Sequence, residues 1–139
     1  MIGILIVTHK ELGTALIEAL EFITGQPPEN MAAVSIDLNE SADKLRNKIA
    51  AGIKKVDQHQ GVLILTDMFG GSPSNLSYSF LEEGRIEVLS GVNLPIVMKA
   101  EDKRKTMSLE ELAPMLETFG KRSISLASGI LQGHKRTAC

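Results

Sequence analysis

Residues 2–13 read Ile2-Gly3-Ile4-Leu5-Ile6-Val7-Thr8-His9-Lys10-Glu11-Leu12-Gly13. The run from Ile2 to Thr8 is short, apolar and rich in β-branched residues, the pattern of a strand covered on both faces. It leads straight into a histidine. Leu12, Ala15, Leu16, Ala19, Leu20 and Ile23 then recur at helical spacing, with Gly25 as a stop and Pro27-Pro28 beyond it. A buried strand followed at once by an amphipathic helix opens an α/β fold. In open folds of that class, ligands collect where strands end at their carboxyl edge. His9 therefore sits where an imidazole can exchange a proton, or attack a phosphorus atom, near neutral pH. A loop histidine without a task is the competing reading.

The same grammar repeats along the chain. Met31 to Leu38 reads as a second strand. Ser41 caps a helix whose apolar stripe is Ala42, Leu45, Ile49, Ile53 and Val56. Gly61 to Asp67 is another fully buried strand pattern. Ser72 then offers a capping hydroxyl before Pro73, and a helix runs through Leu76 and Phe80 to a stop near Gly84. Arg85 to Ser90 is a fourth strand, and Pro95 opens a further helix. Ser108 caps the next, which carries Leu109, Leu112, Leu116 and Phe119 and ends at Gly120. Ile124, Leu126 and Ala127 form a weak last strand before a tail. Strands alternating with helices predict one doubly wound, mainly parallel α/β domain over residues 1–139.

Composition narrows the class. A chain of 139 residues, 43% of them hydrophobic, is large enough for a real core. The net charge of -2 and the pI of about 5.9 give no nucleic-acid footprint. Lys103-Arg104-Lys105 and His134-Lys135-Arg136 are short basic clusters and read as solvated surface. The one cysteine, Cys139, can make no intramolecular disulfide and no multi-cysteine metal site. With no leader pattern at Met1–Val7 and no apolar run of membrane length, a cytoplasmic protein is expected.

Three strands finish in polar or glycine-rich punctuation: Thr8-His9, then Thr66-Asp67 followed by Met68-Phe69-Gly70-Gly71-Ser72-Pro73-Ser74-Asn75, then Ser90-Gly91-Val92-Asn93. In a sheet ordered 2-1-3-4, strands one and three are neighbours and the winding reverses between them, which places His9 and Asp67 on the two sides of the switch point. Asp67 would then accept a hydrogen bond from one ring nitrogen of His9 and leave the other free to attack. A satisfied loop carboxylate is its other reading. Gly70, Gly71 and Ser72 precede a helix N-terminus, where backbone N–H groups suit a phosphoryl group. No Gly-Lys-Ser/Thr or GxGxxG follows a strand, so no nucleotide cofactor is implied. There is no nucleophile elbow for a serine hydrolase, and His59 and His134 read as surface, so no metal is expected. A covalent phosphohistidine on His9 is the economical proposal. Thr8, Thr66 and Asn93 are the supporting residues at the three strand ends.

Those three motifs, at their intervals, resemble the IIA component of the mannose family of the bacterial phosphoenolpyruvate-dependent sugar phosphotransferase system (PTS). The resemblance covers nearly the whole chain. It implies that His9 is phosphorylated, that Asp67 pairs with it, and that Ser72 and the Gly71 loop contact the phosphoryl group. It implies HPr as phosphoryl donor, a histidine of a IIB component as acceptor, and an indirect association with the membrane components IIC and IID. It also implies the strand order 2-1-3-4, and a homodimer that exchanges a fifth, antiparallel strand, a use for the segment around Ile124-Ser125-Leu126. Some members carry a fused IIB domain. This chain stops at Cys139, so a separate IIB partner is expected.

Three other readings compete. The phosphotransferase subunit of dihydroxyacetone kinase has a similar fold and an equivalent histidine. A regulatory phosphohistidine module would have the same protein chemistry without feeding transport. A receiver-like domain phosphorylated on Asp67 would need acidic residues after the first strand, where the chain has Thr8-His9-Lys10.

Overall fold

The computed structural model describes residues 1–132. His134, Lys135, Arg136 and Cys139 lie outside the described residues. Four strands, β1 (Gly3–His9), β2 (Met31–Ile36), β3 (Val62–Thr66) and β4 (Ile86–Ser90), form one parallel sheet in the order β2-β1-β3-β4. The helices between and after them are α1 (Leu12–Thr24), α2 (Ala42–Val56), α3 (Ser72–Tyr78), α4 (Leu94–Lys103), α5 (Leu109–Arg122) and α6 (Ala127–Leu131). The expected strand order is the observed one.

Alternation along the central strands divides the core in two. Ile4 and Ile6 of β1 and Leu63 and Leu65 of β3 pack under α1, α4 and α5, against Leu20, Val97, Leu112 and Leu116. Leu5 and Val7 with Val62 and Ile64 pack under α2, against Leu45, Ile49, Ile53 and Val56, with Leu76 of α3 at the margin. Both faces of β1 and β3 are therefore dry, which is why those segments read as continuous apolar runs. Parallel crossovers put every strand's carboxyl end on one edge. The register pairs Val7 with Thr66 and Thr66 with Ser90, so the ends of β1, β3 and β4 are level there.

Several sequence expectations are corrected. β2 stops at Ile36, two residues early, because the Asp37 carboxylate accepts the Asn39 N–H at 3.0 Å and turns the chain. α5 runs past Gly120 to Arg122. The weak last strand is not in the sheet: residues 123–126 belong to no regular element, and Ala127 begins α6. Alternating apolar residues define a strand only when a neighbouring strand takes up the backbone groups, and the sheet of the described residues has four strands, β2-β1-β3-β4, without that segment.

Arg104 overturns the reading of Lys103-Arg104-Lys105 as uniformly solvated. It is 1% exposed. Its guanidinium donates to the carbonyls of Ile2 at 3.2 Å, Asn30 at 3.0 Å and Glu29, and to both Glu101 carboxylate oxygens at 3.1 and 3.0 Å. A run of like charges hides this because burial follows from where helix α4 ends, over the starts of β1 and β2. The planar fork satisfies several acceptors at once.

Candidate functional site

The site forms at the carboxyl edge of β1 and β3. His9 Nδ1 lies 2.8 Å from Asp67 Oδ2, and the same oxygen accepts the His9 backbone N–H at 2.9 Å. The other carboxylate oxygen accepts the Met68 N–H at 3.0 Å. The aspartate is thus fixed from both sides, with its side chain 11% exposed against 38% for His9. Partial burial pushes the Asp67 pKa up. The hydrogen bonds from the His9 backbone and ring, and the charge of the ring, outweigh that and hold the carboxyl below its ordinary value. An ionised Asp67 requires a proton on Nδ1, and in the neutral ring that leaves the Nε2 lone pair available. Nε2 has no hydrogen-bond partner among the described residues.

Backbone features hold the imidazole there. Thr8 is fully buried, and its hydroxyl accepts the Gly13 N–H at 2.9 Å. Glu11, at the formal cap position, makes no side-chain capping bond, so Thr8 supplies the acceptor for the first turn of α1. Lys10 between them takes a left-handed conformation with φ 49°, the sharp turn that carries the chain from strand to helix.

The glycine loop closes the other side. Gly70 has φ 88°, which favours glycine. Gly71 has φ -90° and ψ 170°, which any residue adopts, so its requirement is space. A β-carbon on Gly71 would stand 3.0 Å from His9 Cε1 and 3.6 Å from Nε2. Gly71, not Ser72, is the N-cap of α3: helical angles begin at Ser72, with Pro73 behind it. The Ser72 hydroxyl is consequently not spent on capping and has no hydrogen-bond partner among the described residues. The backbone N–H groups of Gly71 and Ser72 have no intrahelical acceptor at this end.

The remaining expected residues divide. Thr66 is fully buried under the loop, where its hydroxyl meets Ser74 at 2.7 Å and donates to Ser90 at 2.8 Å. Asn93 does not reach His9. Its Oδ1 accepts the Ile96 N–H at 2.9 Å, and its Nδ2 donates to Ser123 Oγ at 3.1 Å, so it caps α4 and ties down the end of α5. A polar residue closing a strand was the signal, and asparagine gives the same signal whether it serves a site or a cap. His59 is exposed and lines a separate depression of about 460 Å³ with Asp57, Arg85 and Glu110, at the strands' amino edge. Beside His9 itself lies an open depression of about 600 Å³, lined by Lys10, Ser35, Asp37, Leu38 and Asn39. No cluster of three or more metal-ligating side chains occurs among the described residues.

This is a doubly wound α/β domain whose switch point holds a carboxylate-oriented imidazole in place of a nucleotide fold's glycine signature. The chain belongs to the EIIA-man family, described as "PTS system fructose IIA component", which it matches over residues 3–117. It is 32% identical over 133 residues to the PTS system fructose-specific EIIA component of Bacillus subtilis, covering 95% of this chain and 90% of that one. It is 31% identical over 125 residues to the PTS system mannose-specific EIIAB component of Escherichia coli, covering 88% of this chain and 38% of that longer protein. Among solved structures, a phosphotransferase system component EIIA from Streptococcus agalactiae is similar with a TM-score of 0.80 and 29% identity, over 92% of this chain and 98% of that one. Components of this family are phosphotransferases of sugar transport, and the phosphoryl-carrier reading follows. The dihydroxyacetone kinase, regulatory and receiver readings are not favoured. No helix among the described residues is long and apolar enough to cross a membrane.

Proposed function

We propose that this chain carries a phosphoryl group on His9 Nε2, taking it from the phosphohistidine of HPr and passing it to a histidine of a IIB component. The observation that carries the reading is the Asp67–His9 bond at 2.8 Å beside an Nε2 that has no hydrogen-bond partner among the described residues. In the first step the Nε2 lone pair attacks phosphorus in line. The new N–P bond forms as the donor's N–P bond breaks, and the electron pair returns to the donor imidazole. The His9 ring becomes cationic, with a proton on Nδ1 and phosphorus on Nε2, and the ionised Asp67 stabilises it. Gly70, Gly71 and Ser72 are the groups that would hold the phosphoryl oxygens, through backbone N–H groups and the free Ser72 hydroxyl. Attack by a IIB histidine reverses the sequence.

The test is incubation with phosphoenolpyruvate, enzyme I and HPr. One acid-labile, base-stable phosphate per chain is expected, transferable to a IIB protein. Its survival in His9→Ala rejects the assignment.

The family reading also extends to assembly. Ile124 and Leu126 are 76% and 78% exposed, and Ile124 lines a depression beside β4 with Val88, Leu89 and Ser90. We read residues around 124–126 as the fifth, antiparallel strand, formed on the partner's sheet in a homodimer. Sedimentation should give a dimer, and replacing Ile124 and Leu126 by Asp should give monomers. Association with IIC and IID would follow through IIB.

A further inference from the structure

Beneath the 68–72 loop lies a cluster of hydroxyls that the phosphoryl-transfer chemistry does not use. Ser74, on α3, is fully buried. Its hydroxyl donates to the Met68 carbonyl. A hydroxyl has one proton to give, so toward its other neighbours Ser74 can only accept. Those neighbours are Thr66 at 2.7 Å and Ser90 at 3.0 Å, and Ser90 is itself 3.3 Å from the Tyr78 hydroxyl. Thr66 lies 2.8 Å from Ser90 as well, so its single proton is shared between Ser74 and Ser90. The cluster spans the ends of β3 and β4 and the first and last turns of α3, and its side-chain bond to the 68–72 loop ends on Met68.

Met68 is therefore held at both of its backbone groups. Its carbonyl is fixed by Ser74, and its N–H is given to Asp67 Oδ1 at 3.0 Å. The opposite carboxylate oxygen faces His9 Nδ1. Released from Ser74, Met68 would keep a single hydrogen bond among the described residues, from its N–H to Asp67 Oδ1. Asp67 would stay tethered at Oδ2 by the His9 backbone N–H, but with its Oδ1 side loosened the carboxylate plane would turn on that tether and lose its alignment with the ring.

We infer that Ser74 is a positioning residue: it orients Asp67, and through it the reactive tautomer of His9, by clamping the Met68 carbonyl. This rests on His9 being the phosphorylated residue. Ser77 provides the control. It is also fully buried on α3, and its hydroxyl donates to a carbonyl, that of Pro73 at 2.6 Å, which lies outside the 68–72 loop. A general loss of a buried hydroxyl affects both serines alike. A positioning role affects only one.

The experiment compares Ser74→Ala and Ser77→Ala by two readouts. The first is the rate of phosphoryl uptake from phospho-HPr. The second is the nitrogen-15 spectrum of the His9 ring in the unphosphorylated protein, which reports which nitrogen bears the proton. Ser74→Ala should slow uptake between about 10- and 100-fold and mix the two tautomers. Ser77→Ala should keep the Nδ1–H form and a rate within about two-fold of wild type. Equal rates and identical His9 spectra in the two variants would overturn the inference. Should Ser74→Ala fail to fold, Ser74→Cys, a much weaker donor, is held to the same two outcomes. If even the wild-type chain takes no phosphate on His9, the transfer reading fails, while the spectra still decide whether Ser74 sets the ring.

Discussion

Gly71 lies against His9: a β-carbon at that position would stand 3.0 Å from the ring's Cε1, although the backbone there is of a kind open to any residue. The glycine is needed for the space it leaves beside the reactive nitrogen. Gly71→Ala should therefore fold with a Tm within about 3 °C of wild type, yet lose at least about ten-fold in phosphoryl uptake as the ring is displaced. Gly70→Ala should do the reverse. A β-carbon there meets open space, but φ is 88°, so the cost of about 1 kcal/mol falls on stability. Thermal melts and uptake rates on the two variants check the crossover.

Asp67 sets a pH dependence. Its carboxyl is held below its ordinary value of 3.8, so in the folded chain it binds its proton less readily than when unfolded. The stability this contributes is fully present above the ordinary carboxylate range and is lost as pH falls below 3.8 through the lower folded pKa. Urea unfolding should show Asp67→Asn less stable than wild type at neutral pH, by about 1–2 kcal/mol, and the gap should narrow toward pH 2. A gap that is constant across that range contradicts the assignment.

Thr8 carries a structural prediction next to the site. Thr8→Val keeps the shape but leaves the buried Gly13 N–H without its acceptor. Chemical denaturation should show a loss of about 1–2 kcal/mol. Uptake should also fall, because the turn at Lys10 that presents His9 is anchored by the same hydroxyl, which reaches the Lys10 carbonyl at 3.4 Å.

Arg104 separates stability from function. It ties the starts of β1 and β2 at the edge away from His9. Arg104→Met should cost about 2–4 kcal/mol in denaturant titrations, since backbone carbonyls and Glu101 lose their partner. Phosphoryl uptake per folded molecule should not change.

What could be read in the residues follows from how local each cause is. The strands β1 and β3 were legible because burial on both faces writes a continuous apolar run, and the order 2-1-3-4 then brought His9 to Asp67. Arg104 was not legible, because its burial depends on where α4 ends in space. The cap of α3 moved from Ser72 to Gly71 because capping follows backbone angles, and either residue type fits that position. Asn93, named as a supporting residue from its place at a strand end, caps α4, a role the strand-end signal alone does not distinguish. Ser74 lay inside a quoted motif, yet its bond to Met68 spans six residues and exists only once the loop is folded over α3.

The most direct test is the ring of His9 itself. Phosphorus–nitrogen coupling in the phosphorylated, nitrogen-15-labelled protein should place phosphorus on Nε2 and a proton on Nδ1. Phosphorus on Nδ1, on another histidine, or as a base-labile acyl phosphate on Asp67 would contradict the account.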